Sequence, residues 1–356
     1  MSNGENKVDF KPLSFFKELF LKEDELVEYY NNKRKYEFEN GTILKGMKFR
    51  DMLHPILLKI IGLNRKYIEK QTLTIVNDKR KTEKKPVIYA ITHIGMYDYQ
   101  IVCEAIKDHQ YPFAGDPETM YRSADGLILA LNGLIYCDTN SKEDRYIATQ
   151  TAKELLNRGG NLAIYPEGVW NLSPNLLSLP LFPGIINIAI ETGCDIIPVA
   201  VEQYEKDFFV NIGENISVDQ NKIFTTDDDK KEYVNQKKDE LRDIFATLKW
   251  EIMEQVPAAK RQDYGPYNEE YEKFVNTRLR EWINPKTKEP YYNQQIVKER
   301  TFKIKNVCVF EEAFSHLKKL KLSKNNAFLF RNILNLPTNI MEEMNTELKK
   351  NEIKVR

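Results

Sequence analysis

The sequence is poor in the residues that most often advertise chemistry. It has four histidines and four cysteines in 356 residues. The cysteines, Cys103, Cys137, Cys194 and Cys308, lie far apart in apolar segments, and no Cys-x-x-Cys pair occurs. That argues against a disulfide scaffold or a zinc site and suits a reducing cytoplasm. His54, His109 and His316 stand in unrelated sequence contexts, so no histidine cluster marks a metal centre. Net charge is also missing. Lys plus Arg and Asp plus Glu number 53 each, which leaves no global electrostatic case for nucleic-acid binding. No apolar run reaches the ~20 residues of a spanning helix. The opening MSNGENKVDFKPLSFF lacks the basic and apolar regions of a signal peptide. There is no Gly-x-Ser-x-Gly elbow to activate a serine, no internal repeat and no low-complexity tract.

What remains is a globular composition, 42% hydrophobic and 30% charged, in a chain longer than one typical domain. Apolar residues near helical spacing predict helices over 13–37 and 45–68. In the second, Leu53, Ile56, Leu57, Ile60 and Ile61 form a stripe among Lys45, Lys48, Arg50, Lys59, Arg65 and Lys66. Such a segment packs on a core or rests on anionic lipid. From residue 86 the texture changes. PVIYAITH is an apolar, β-branched run of the kind that is buried on both faces of a sheet. Further strands are expected at 111–115, 133–138, 161–165, 195–204 and 207–216. Helices are expected between them, including a short one capped by Ser123 and a longer one started by Ser141 and Asp144. Strands alternating with helices predict an α/β fold, a mainly parallel sheet flanked by helices. A long amphipathic helix follows over 228–256, striped by Val234, Leu241, Ile244, Phe245, Leu248, Ile252 and Val256.

The first polar residues after three apolar strands are His93, Asp138 and Glu167. Ligands of open α/β sheets gather at the carboxyl ends of strands, so these three are expected near one another. His93-x4-Asp98 is a weak signal by spacing alone. Its place at a strand end strengthens it, with Gly95 allowing an unusual turn between. A histidine of near-neutral pKa can take a proton from an attacking hydroxyl, and a carboxylate beside it fixes the tautomer. Amides near Gly95 are candidate oxyanion donors. In YPEGVWN, Glu167 could accept hydrogen bonds from ligand hydroxyls, and Gly168 lets backbone approach a ligand closely. Trp170 would suit a lipid or sugar face, or a packed core.

The segments THIGMYD, GLIYCDT, YPEGVWN and IIPVAVEQY occur in that order, each at a strand. Together they resemble the phospholipid/glycerol acyltransferase family, which includes the acylglycerol-phosphate acyltransferases, over roughly residues 70–215. The resemblance implies transfer of a fatty acyl group from a thioester donor, acyl-CoA or acyl-carrier protein, to a glycerol hydroxyl. It implies His93 as general base and Asp98 as its support. Glu167, Gly168, Trp170, Asn171 and Gly133 become the candidate acceptor-binding set, with Pro198 on the donor side. It implies no metal and no cofactor beyond the donor. Two departures stand out. The family has Asp-Arg where Asp138-Thr139 stands, and Gly-Thr-Arg-Ser where Gly168-Val169-Trp170-Asn171 stands. Two arginines suited to an acceptor phosphate are therefore absent. Arg122, Lys142 and Arg145 are nearby substitutes.

The expected organisation is an N-terminal helical, membrane-surface region over 1–69, an acyltransferase domain over 70–256 and a mostly helical extension over 257–356. The expected partners are a lipid acceptor such as 1-acylglycerol-3-phosphate, an acyl thioester and a membrane surface, with no nucleic acid. The expected location is cytoplasmic, on the inner face of a membrane. Acylation of a phosphate-free polyol or glycan is the alternative, and a non-catalytic lipid-binding module is a third reading.

Overall fold

The run Val87–Ile91 forms the central strand β2, and every residue of it is buried. Its side chains alternate between two cores, as the strand period requires. Ile88 and Ala90 join one cluster with Leu155, Leu162, Ile186 and Phe245. Val87, Tyr89 and Ile91 join the other with Ile101, Val102 and Val199. The computed structural model describes residues 10–290 apart from 14, 19, 82–84, 116–123, 173–176, 220, 257–268 and 284–287.

Among these residues seven strands make one sheet in the order β1-β7-β6-β2-β5-β3-β4. They are β1 (Thr72–Asp78), β2, β3 (Gln110–Ala114), β4 (Ile135–Tyr136), β5 (Asn161–Ile164), β6 (Asp195–Tyr204) and β7 (Asp207–Ile212). All neighbouring pairs are parallel except β6–β7, a hairpin. The helices are α1 (Phe15–Glu18), α2 (Glu23–Glu39), α3 (Met47–Leu63), α4 (Asp98–Ile106), α5 (Ala124–Asn132), α6 (Lys142–Asn157), α7 (Gly184–Thr192), α8 (Asp227–Gln255) and α9 (Glu269–Leu279), with a π-turn at Asn64–Glu69. Helix α4 covers the Val87 face of the sheet, and α6, α7 and α8 cover the Ile88 face. The expected α/β architecture is therefore present.

The local signals explain several boundaries. The Ser141 side chain accepts the Asp144 amide and starts α6. Thr226 and Asp229 form a reciprocal capping box at α8. The apolar stripe of α8 packs through Phe245, Leu248 and Ile252.

Four expectations change. No strand is expected before residue 86, yet β1 occupies Thr72–Asp78. It is an edge strand with mostly exposed or half-exposed residues, so it has no apolar run to betray it. The helix expected over 13–37 is two pieces, α1 and α2. The strand expected over 133–138 is reduced to Ile135–Tyr136. The stripe assigned to 45–68 is split: His54, Leu57 and Ile61 face the core, whereas Ile56 and Ile60 face out with Phe49, Met52 and Leu63. Helix α3 is apolar on two sides. No described helix is long and apolar enough to cross a membrane. The Ser123 cap, Arg122, Cys308, His316 and all of 291–356 lie outside the described residues.

Candidate active site

Strand β2 ends at Ile91, and the chain turns over Gly95–Asp98 into α4. This turn brings His93 and Asp98 together: His93 Nδ1 lies 2.8 Å from Asp98 Oδ2. A carboxylate only accepts, so Nδ1 carries the proton and Nε2 holds the free lone pair. Nε2 makes no hydrogen bond among the described residues, and the side chain is 18% exposed. Asp98 is buried as the first residue of α4, where the helix dipole favours a negative charge. Its Oδ2 also accepts the amides of Ile94 at 2.6 Å and Gly95 at 3.1 Å. Its Oδ1 is buried without a partner among the described residues. The pair is thus a base-capable imidazole backed by a carboxylate that the backbone holds rigidly.

These bonds revise two expectations. The Ile94 and Gly95 amides serve Asp98 and are not oxyanion donors. Gly95 does not adopt positive φ. Its small size matters for a different reason, since an added Cβ would sit 3.2 Å from Arg278 Nη2.

Strand β5 lies beside β2 in parallel register, so the residues after each strand emerge at one edge. Glu167 reaches across from β5. Its Oε2 accepts the His93 amide at 2.9 Å, and its Oε1 accepts the Leu179 amide at 2.7 Å. Asn171 completes the tie, its amide donating to the His93 carbonyl at 2.6 Å. Glu167 is fully buried, and burial pushes its carboxyl above the usual range, opposed chiefly by the charge of Lys249. Glu167 and Asn171 therefore organise the His93 strand end by backbone contacts, in place of the acceptor contacts expected for them.

The remaining expected residues divide. Gly168 is exposed with φ 73°, in the turn closed by its amide on the Tyr165 carbonyl. An added Cβ there would strike Phe182 at 2.4 Å. Trp170 is a packed aromatic, 1% exposed, in a cluster with Leu172, Val275 and Leu279. Its ring meets His93 edge-on at 6.2 Å. Tyr165 lies on the imidazole with centroids 4.4 Å apart. Gly133 belongs to the other end of the sheet. It precedes β4 with φ 99°, and an added Cβ would fall 2.3 Å from the Tyr111 ring. Its place is a tight turn and not the His93 edge. Pro198 sits inside β6, paired with Ala90 and buried against Gly213. Asp138 follows β4, two strands beyond β5, where its carboxylate accepts from Asn31 at 2.9 Å. It does not join His93 and Glu167.

Three cations were missed from sequence. Lys249 of α8 is buried and pairs with Glu202 at 2.8 Å. Burial opposes its charge, but Glu202, Glu167 and Asp98 outweigh that and leave its pKa raised. Arg242, one turn pair earlier on the same helix, donates to the Ser178 carbonyl at 3.1 and 3.0 Å, and burial lowers it to about 10. Arg278 of α9 donates to the Ile94 carbonyl at 3.1 Å. Lys249 and Arg242 lie within the long amphipathic helix expected over 228–256, where no local motif marks either. His54 and His109, taken as unrelated, stack at 4.8 Å between α3 and β3. No described group of three or more His, Cys, Asp or Glu side chains is arranged to hold a metal ion.

Residues 72–202, which span the His93 turn and the Glu167 loop, match the family model described as Acyltransferase. The chain is also similar to the 1-acyl-sn-glycerophosphate (LPA) acyltransferase PlsC from Thermotoga maritima. That likeness has 16% identity and a TM-score of 0.41, and covers 61% of this chain and 95% of that one. No protein in the curated comparison matches the sequence.

Proposed function

We propose, from the premise that residues 72–202 form an acyltransferase-family domain, that the protein moves a fatty acyl group from a thioester to a hydroxyl of a glycerolipid-type acceptor. The observation that carries this reading is the 2.8 Å contact between His93 Nδ1 and Asp98 Oδ2, which leaves Nε2 free. His93 Nε2 takes the proton of the acceptor hydroxyl as its oxygen attacks the thioester carbonyl. Asp98 holds the tautomer and stabilises the imidazolium. The tetrahedral intermediate then expels the thiolate, which recovers the proton. The thioester supplies the activation, so no covalent enzyme intermediate and no further cofactor enter these steps. The donor is acyl-CoA or acyl-carrier protein, and 1-acylglycerol-3-phosphate is the leading acceptor.

A phosphate-free polyol or glycan acceptor is the second reading. Its support is Thr139 and Trp170, which stand where the family's arginines are expected. Of the substitutes, Arg145 bonds to the Thr139 carbonyl at the β4 end of the sheet. The deciding experiment is an acceptor screen with labelled acyl-CoA. Strong preference for lysophosphatidate over its dephosphorylated analogue supports the first reading, and the reverse supports the second. Vesicle or acyl-chain binding without turnover on any donor would leave only a lipid-binding module.

The reaction takes place at the inner face of an anionic membrane. The support is the outer side of α3 and its π-turn. Phe49, Met52, Ile56, Ile60, Leu63 and Tyr67 are all between 48% and 68% exposed there. Exposed Lys45, Lys48, Lys59, Lys66 and Lys70 surround them. An apolar face flanked by lysines lies on a bilayer, with each lysine near the surface contributing roughly 1 kcal/mol.

A further inference from the structure

Helix α9 lies outside residues 72–202, yet it closes over the His93 turn. Its Arg278 is 184 residues from Ile94 in sequence, and Nη2 donates to the Ile94 carbonyl at 3.1 Å. That carbonyl and the Gly95 N–H are the two ends of one peptide group. The N–H end donates to Asp98 Oδ2 at 3.1 Å, and the same oxygen holds His93 Nδ1 at 2.8 Å. A single chain of hydrogen bonds therefore runs from Arg278 through the Ile94–Gly95 peptide to Asp98 and His93. A cation on the carbonyl polarises the peptide and strengthens its N–H as a donor. It also stops the peptide from rotating, and with it the Asp98 carboxylate.

Three features show that the approach is built. Gly95 supplies the room, since a Cβ there would lie 3.2 Å from Nη2. Glu281 grips the other arm, its two oxygens 3.1 and 3.0 Å from Nη1. The guanidinium is itself buried, 7% exposed, so its contacts to the Ile94 carbonyl and Glu281 replace water. Beside it, Val275 and Leu279 pack on Trp170 and Leu172, and the Trp282 ring lies tilted against Trp170 with centroids 6.0 Å apart.

We propose that Arg278 is a positioning residue of the active site, acting on the His93–Asp98 pair through the Ile94–Gly95 peptide. The proposal rests on the functional reading above for its kinetic consequence but not for its structural one.

The test uses the full chain and three variants, Arg278→Gln, Arg278→Lys and Glu281→Gln. Two readouts are needed: acyl transfer from labelled acyl-CoA, and backbone deuterium exchange over residues 93–98. Arg278→Gln is expected to lower kcat by about tenfold to hundredfold with little change in acceptor KM, as a small misplacement of a reacting group does. It is expected to raise exchange over 93–98 while residues 87–91 keep their protection. Arg278→Lys retains a donor for the Ile94 carbonyl and is expected to restore most of both. Glu281→Gln weakens the grip on Nη1 and is expected to show a smaller loss in the same direction as Arg278→Gln. The proposal is overturned if Arg278→Gln leaves exchange over 93–98 unchanged. It is equally overturned if all three variants lose protection across the whole sheet, which would make α9 a general fold anchor. Absence of any turnover by the wild-type protein would overturn the functional reading instead, and the exchange result would still decide this one.

Discussion

Glu167 holds His93 by its backbone: the His93 amide donates at 2.9 Å to Oε2 of the Glu167 carboxylate, which is fully buried. The residue that looked like a ligand contact is a strap between two parallel strands. This changes what its substitution should do.

Burial raises the Glu167 pKa. A carboxyl that is easier to protonate in the fold than in the unfolded chain makes the fold lose stability as pH rises from its unfolded pKa, about 4.3, through the folded one. Glu167→Gln does not titrate. The variant should therefore gain on the wild type over that rise, whatever its fixed cost from losing one acceptor. Urea midpoints between pH 4 and pH 8 check this. A stability difference that is flat with pH, or that moves in favour of the wild type, contradicts it.

Trp170 is packed between the Glu167 loop and α9. Trp170→Ala should cost about 3–5 kcal/mol of stability, as large aromatic deletions in cores do. Denaturant unfolding measures it. A stable variant changed only in acceptor KM would return Trp170 to the acceptor site.

The two sides of α3 separate folding from membrane attachment. Ile56 and Ile60 face out, whereas Leu57 faces the core. The double variant Ile56→Glu, Ile60→Glu should fold with stability within about 0.5 kcal/mol per site of the wild type. It should lose most of its co-sedimentation with anionic vesicles. Leu57→Glu should fail to fold, because it buries an unpaired charge. Undiminished vesicle binding by the double variant would move the membrane contact elsewhere.

The α/β alternation was legible because buried parallel strands are continuous apolar runs, as in Val87–Ile91. The His93–Asp98 contact was legible because five residues span one turn at a strand end. Other features left no such trace. Strand β1 is half exposed, so its pattern resembles a loop. Helix α3 is apolar on two sides, which blurs the stripe that assigns its inner face. Glu167 has the composition of a ligand contact, and only its burial reveals the strap. Gly133 shares a segment with a strand end but lies at that strand's start, a distinction that depends on the strand being two residues long. Arg278 meets Ile94 across 184 residues, and no local pattern carries such a contact.

The central claim is that His93 removes the acceptor proton while Asp98 orients it. It is tested most directly by the rate of acyl transfer from labelled acyl-CoA to lysophosphatidate in the wild type, His93→Ala and Asp98→Asn. Both variants should fall by on the order of 10²–10⁴-fold in kcat, the usual worth of a general base, while remaining folded. His93→Ala retaining most of the wild-type rate would contradict the account.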